Sequence, residues 1–186
     1  MRDNRRMSRA VIIVASEDGQ SNRIALRLGE LLRERGVEVA IRDGARPDAG
    51  EHLTAYDGVV IGSAIHYGHH AKQIQELVKS HRAILASRHT AFFSVSLSAG
   101  GPSRDPATAK GYLETFTAET GWKPDQAASF AGAILHSQYG IFRTLMVRLS
   151  LRKSGAPESG DHEYTDWNAV AAFAEAFAKR LASPKR

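Results

Sequence analysis

The chain has 186 residues, no cysteine, 42% apolar and 24% charged residues, and a formal net charge of +5. A chain of this size buries a core without disulfides or a structural metal, and the absent thiol excludes a disulfide framework, a cysteine-bearing zinc site and a catalytic cysteine. Its positive charge favours anionic partners without choosing among nucleic acid, phosphate and lipid headgroups.

Residues 1–9 form a basic extension, and residues 10–183 are expected to form one domain. No apolar run reaches the roughly 20 residues that cross a bilayer. The apolar stretch 10–15 is too short and too β-branched for a secretory leader, so a cytoplasmic location is expected. That stretch, Ala10-Val11-Ile12-Ile13-Val14-Ala15, predicts a strand buried on both faces. The spacing of Ile24, Leu28, Leu31 and Leu32 then predicts a helix closed by Gly36. Residues 37–41 predict a second strand and residues 59–65 a third. Ile74, Leu77, Val78, Ile84 and Leu85 mark one following helix. Residues 90–95 predict a fourth strand, 107–120 a helix closed by Gly121, and 126–134 an alanine-rich fifth strand. Asp166 and Trp167 open a last helix over 168–181.

Strands alternating with helices over short connections imply a parallel sheet covered on both faces through right-handed crossovers. Five units predict an α/β, flavodoxin-like three-layer sandwich with strand order 2-1-3-4-5. A long insertion, about residues 135–163, interrupts the regularity before the last helix and is expected to be functional.

In such a sheet ligands bind beyond the carboxyl ends of the strands. After strand one stands Ser16-Glu17-Asp18-Gly19-Gln20-Ser21, which resembles the hydroxyl- and glycine-bearing phosphate loop of flavodoxins. The same hexapeptide also fits an N-cap turn that merely starts a helix. After strand three, Ile65, His66, Tyr67 and Gly68 run into His69 and His70. Tyr67 suits the face of a flat ring, or a surface turn with a packed tyrosine. The three histidines lack a carboxylate at ligand spacing, and no metal site is assigned. After strand four, Ser94, Val95, Ser96, Leu97 and Ser98 precede Gly100 and Gly101, a small and polar run that lets backbone approach a ring.

The insertion places Ile141, Phe142, Leu145, Met146 and Leu149 on one arc of about 140 degrees, with arginines at its edge. Residues 143–153 hold four bases and no acid. Such a segment fits an anionic membrane surface, a hydrophobic carboxylate-bearing ligand, or an ordinary helix packed on its domain.

Asp18-Gly19-Gln20, Val59-Val60-Ile61-Gly62, His66-Tyr67-Gly68-His69, Ala91-Phe92-Phe93-Ser94-Val95, Trp122-Lys123-Pro124-Asp125, Ala131-Gly132-Ala133 and Tyr164-Thr165-Asp166-Trp167 occur in one order from Val11 to about Ala178. In these pieces the chain resembles the flavodoxin-type, menaquinone-dependent protoporphyrinogen IX dehydrogenases. The resemblance implies one FMN per chain, held by residues 17–21 (Glu17, Asp18, Gly19, Gln20 and Ser21) and by the segment beginning at Ser94; the strand-end loops add Ser16 and Ile65 to Gly68 as candidates, with Ser94 to Ser98 as the third loop. It implies oxidation of protoporphyrinogen IX to protoporphyrin IX in haem biosynthesis, with electrons passed to menaquinone or another quinone at the inner face of the membrane.

Tyr139, Phe142, Arg143, Met146, Arg148 and Arg152 are then the candidates for substrate or membrane contact. No side chain is assigned as catalytic, although His66, Tyr67 and His136 are candidates near the ring. The chain departs from the family pattern at His66, at Ser96 and over residues 135–139. The alternatives are a flavodoxin-type electron carrier and a nicotinamide-dependent quinone reductase on the same fold. A nucleic-acid module is not expected, because the bases are spread without a recognition motif. A homo-oligomer is left open.

Overall fold

A computed structural model describes residues 7–16, 19–134 and 162–185. Its centre is β1 (Arg9–Ala15), whose alternate residues serve two separate cores. Ala10, Ile12 and Val14 pack beneath α1 (Gln20–Arg33) and the final helix α5 (Trp167–Leu181). Val11, Ile13 and Ala15 face the opposite way, toward α2 (Lys72–Ser80), α3 (Arg82–Ala86) and α4 (Pro106–Thr120). Period-2 alternation between two covered faces is why this strand is apolar at every position from Ala10 to Ala15.

β2 (Glu38–Asp43), β3 (Gly58–His66), β5 (His89–Ser96) and β6 (Gln126–Ala131) complete the parallel sheet, in the order β2-β1-β3-β5-β6. This is the expected 2-1-3-4-5 arrangement of a flavodoxin-like fold. Three short strands accompany it: β4 (His69–His70) turns back antiparallel on β3, while β7 (Ala133–Ile134) and β8 (His162–Glu163) pair antiparallel as a separate two-stranded ribbon.

The sequence pattern and the structure differ in two places. The helix expected through Ile74 and Leu85 is two helices broken at His81 (φ −109°, ψ 14°). There the Ser80 hydroxyl donates to the Glu76 carbonyl at 2.9 Å and His81 Nδ1 lies 2.8 Å from the Leu77 carbonyl, so side chains occupy the carbonyls of the last turn. The fifth strand stops at Ala131 instead of running to Ile134. Gly132 leaves the sheet, its N–H donating to the Ser96 carbonyl and its own carbonyl accepting from Tyr164 N–H.

The middle of the sheet depends on a bare backbone position. Gly62 and Phe93 are direct partners on β3 and β5, and a Cβ at 62 would lie 2.1 Å from the Phe93 ring. On the other face Phe92 stacks on Phe116 at 4.2 Å. Among the described residues no helix is long and apolar enough to cross a membrane.

Candidate functional site

The carboxyl edge of the sheet holds the ends of β1, β3 and β5, and each is followed by a loop of unusual backbone. Gly19 stands at the start of α1 in the left-handed region (φ 81°, ψ −22°), and no side chain caps the helix there. The first helical bond runs from Arg23 N–H to the Gly19 carbonyl at 3.0 Å, so the amides of Gln20, Ser21 and Asn22 precede it. Ser21 is 1% exposed, and its hydroxyl has no hydrogen-bond partner. A buried hydroxyl without a partner costs about 1–3 kcal/mol, which a ligand at this position would recover.

At the end of β3, Tyr67 (φ 51°) and Gly68 (φ 84°) form a two-residue reversal between the paired His66 and His69. Positive φ at both central residues is the signature of a type I′ hairpin. It holds the Tyr67 side chain 90% exposed on a narrow base. His70 turns inward, with its ring edge-on to Phe92 and Phe116 at 5.3 and 4.9 Å and its Nε2 3.0 Å from Ser94 Oγ. Burial, with a smaller contribution from His69, lowers its pKa to about 4, so the ring is neutral at pH 7.

A cleft of about 110 Å³ joins these loops. It is lined by Ser16, Gln20 and Ser21 around the start of α1, Ala64, Ile65 and His66 at the end of β3, and Val95, Ser96 and Leu97 at the end of β5 and just after it. Gly132 and Ala133 close it. The buried Ser96 hydroxyl, like that of Ser21, has no partner.

Other sequence candidates take different places. Gly19 sets the start of α1, and Tyr67 and Gly68 stand at the hairpin tip. The Ser94 hydroxyl lies below the cleft against His70, and the Ser98 carbonyl accepts the Asp105 N–H at 2.8 Å. Glu17, Asp18, His136, Tyr139, Phe142, Arg143, Met146, Arg148 and Arg152 lie outside the described residues.

Sequence reasoning missed the group beside the cleft. The Gln20 side-chain amide donates to Glu163 Oε1 at 2.9 Å and to Thr165 Oγ1 at 2.8 Å, while its oxygen accepts from Arg23 Nη1 at 3.1 Å. The Tyr164 ring covers Gly101, where a Cβ would meet it at 2.7 Å. The run Tyr164-Thr165-Asp166-Trp167 carried a signal for this region, but its partners are distant in sequence.

The flavodoxin domain family matches residues 11–161. Protoporphyrinogen IX dehydrogenase (quinone) of Escherichia coli strain K12 is 34% identical over 178 residues, covering 95% of this chain and 98% of that protein. The protein of the same name from Leishmania major is 31% identical over 185 residues, covering 96% of this chain and 78% of its relative. The chain belongs to the flavodoxin family and, within it, to these dehydrogenases. It is therefore an oxidoreductase.

Solved structures bear on the fold. Oxidised Flavodoxin 1 from Bacillus cereus superposes with a TM-score of 0.58 at 18% identity, covering 92% of this chain and 98% of its own. A WrbA-like flavodoxin from Agrobacterium tumefaciens gives 0.54 at 14% identity, covering 96% and 99%. Membership of the flavodoxin family implies a flavin cofactor. The residues present fit one, since an uncapped helix start and two unpartnered buried hydroxyls meet in one cleft.

Proposed function

We propose that the chain binds FMN at this cleft and oxidises protoporphyrinogen IX to protoporphyrin IX in haem biosynthesis, with a membrane quinone, menaquinone by resemblance, as acceptor. The observation that carries the reading is the start of α1. Among the described residues its first amides have neither helical nor side-chain partners, and the buried Ser21 hydroxyl beside them is unpartnered. An N-terminus in that state suits a phosphate monoester through hydrogen bonds and the helix dipole.

FMN supplies reversible two-electron chemistry, so the protein's work is binding, orientation and control of the surroundings. Gly19 to Ser21 hold the phosphate. Ser96 and the backbone of Val95 and Leu97 receive the polar edge of the ring system, and Tyr67 covers a ring face from the hairpin tip. Neutral His70 supports that hairpin from inside the core without placing a charge beneath the cleft. Residues Tyr139, Phe142, Arg143, Met146, Arg148 and Arg152 contact the propionate-bearing substrate or an anionic membrane surface, which makes the protein a peripheral one at the cytoplasmic face.

The test has two stages. Flavin-free protein is titrated with FMN, and the loaded protein is then given protoporphyrinogen IX and a menaquinone analogue without oxygen. One FMN per chain and porphyrin fluorescence rising above the protein-free rate are expected. Bound FMN with no such rise removes the protoporphyrinogen reading and leaves an electron carrier or a nicotinamide-dependent quinone reductase. Failure to bind FMN removes the whole reading.

A further inference from the structure

Gln20 belongs to two structures at once. Its backbone amide is the first of the open N–H groups of α1, and its side chain, 4% exposed, is spent on residues more than 140 positions away. Those residues, Glu163 and Thr165, lie on and just after β8. β8 pairs with β7 in the two-stranded ribbon from which residues 135–161 leave and to which they return.

The joint is braced on both sides. Arg23 Nη1 holds Glu163 Oε2 at 3.0 Å and the Gln20 oxygen at 3.1 Å, and the Arg23 guanidinium lies over the Trp167 ring at 5.9 Å. The Thr165 hydroxyl donates to the Ala131 carbonyl at 2.8 Å, which anchors the same joint to the end of β6. The Gly132 carbonyl accepts Tyr164 N–H at 3.2 Å, and Gly132 also closes the cleft. Displacing the first turn of α1 therefore displaces a half-buried, directional pair of hydrogen bonds to the ribbon and the residue just past it.

We infer that Gln20 is a positioning residue that couples occupancy of the phosphate cradle to the order of the β7–β8 ribbon. The inference rests on the FMN reading above and adds a role for a side chain that need not touch the cofactor. Phosphate fixes the backbone amide of residue 20; the side chain carries that constraint to Glu163 and Thr165. Linkage makes the effect reciprocal, so an ordered ribbon strengthens FMN binding by the same factor as FMN strengthens the ribbon.

Hydrogen exchange at the Tyr164 amide reads the ribbon, and flavin titration reads the cradle. In the unaltered protein FMN slows exchange at Tyr164. Gln20→Ala keeps the backbone amide, so it still binds FMN, about fivefold more weakly, and FMN no longer slows Tyr164. Glu163→Gln and Thr165→Val break the joint from the ribbon side and guard against a folding defect in the first variant; each is expected to reduce the FMN-dependent slowing in part. A residue important only for folding would lower the melting temperature with and without FMN and leave the FMN-dependent slowing intact. Intact slowing in Gln20→Ala, or its absence in the unaltered protein carrying bound FMN, overturns the inference. No FMN binding in the unaltered protein removes the underlying reading as well.

Discussion

Helices α1 and α5 lie on the same face of the sheet but begin in opposite ways. Asp166 closes α5, its carboxylate accepting the N–H groups of Asn168 and Ala169 at 2.9 and 3.1 Å. Asp105 does the same for α4, reaching Ala107 and Thr108 at 3.1 and 3.2 Å. At α1 a left-handed glycine stands where the carboxylate would be. A capped start satisfies its own amides and has nothing left to offer, whereas the α1 start keeps hydrogen-bonding capacity and positive dipole for something else. The starts of α4 and α5 have an extended backbone closed by an aspartate, whereas that of α1 has a left-handed glycine and is the one to which binding is proposed.

That contrast can be attacked in several ways. The largest expected effect lies in the closed region, where His70 packs against α4. Its folded pKa of about 4 is below the ordinary 6.5, so the unfolded chain binds the proton more tightly. Stability should fall as pH drops from about 6.5 toward 4, by roughly 3 kcal/mol in all. Urea midpoints measured across that range should slope for the natural protein and flatten for His70→Leu.

At the open helix start, Ser21→Ala removes a hydroxyl that lacks a partner without ligand and would bond a charged phosphate with it. FMN affinity should fall roughly tenfold or more, as for a hydrogen bond to a charged group, with urea stability of the flavin-free protein unchanged or raised. Flavin titration and denaturation on the same preparation check both halves. Gly19→Ala places a Cβ at positive φ and should cost about 1 kcal/mol or more in folding, with FMN binding weakened in the same variant. Asp166→Ala gives the counterpart: about 1 kcal/mol of folding stability lost and FMN affinity within twofold of normal. Equal loss of affinity in Asp166→Ala and Ser21→Ala would erase the distinction between the two kinds of start.

The sheet was legible in the sequence because its information is local. Strands β1, β3 and β5 are buried on both faces and read as largely apolar runs, and short crossovers of fixed hand leave few strand orders to consider. The three loops followed from topology, since carboxyl strand ends are where this fold receives ligands. What escaped was set by side chains acting on backbone or across long separations. The break at His81 depends on hydroxyl and imidazole contacts to carbonyls, which apolar periodicity does not register. The β3–β4 hairpin turns on Tyr67-Gly68, a weaker turn signal than Asn-Gly. Ser94 lies on β5 rather than in the loop after it, and its hydroxyl answers to a histidine 24 residues earlier. Gln20 stands in the expected phosphate loop, while the partners of its side chain, Glu163 and Thr165, lie at the end of the insertion and just past it.

The Phe93 ring seated on Gly62 has a consequence for how this chain can vary. Strands β3 and β5 each deliver one wall of the cleft, and their mutual alignment passes through an aromatic lodged where its neighbour has no side chain. Neither position can drift alone: enlarging residue 62 evicts the ring, and shrinking residue 93 leaves a hollow in the sheet's interior. Ancestry at these two sites should therefore read as a lock and its key, inherited together, with the spacing of the cofactor walls as the trait they guard.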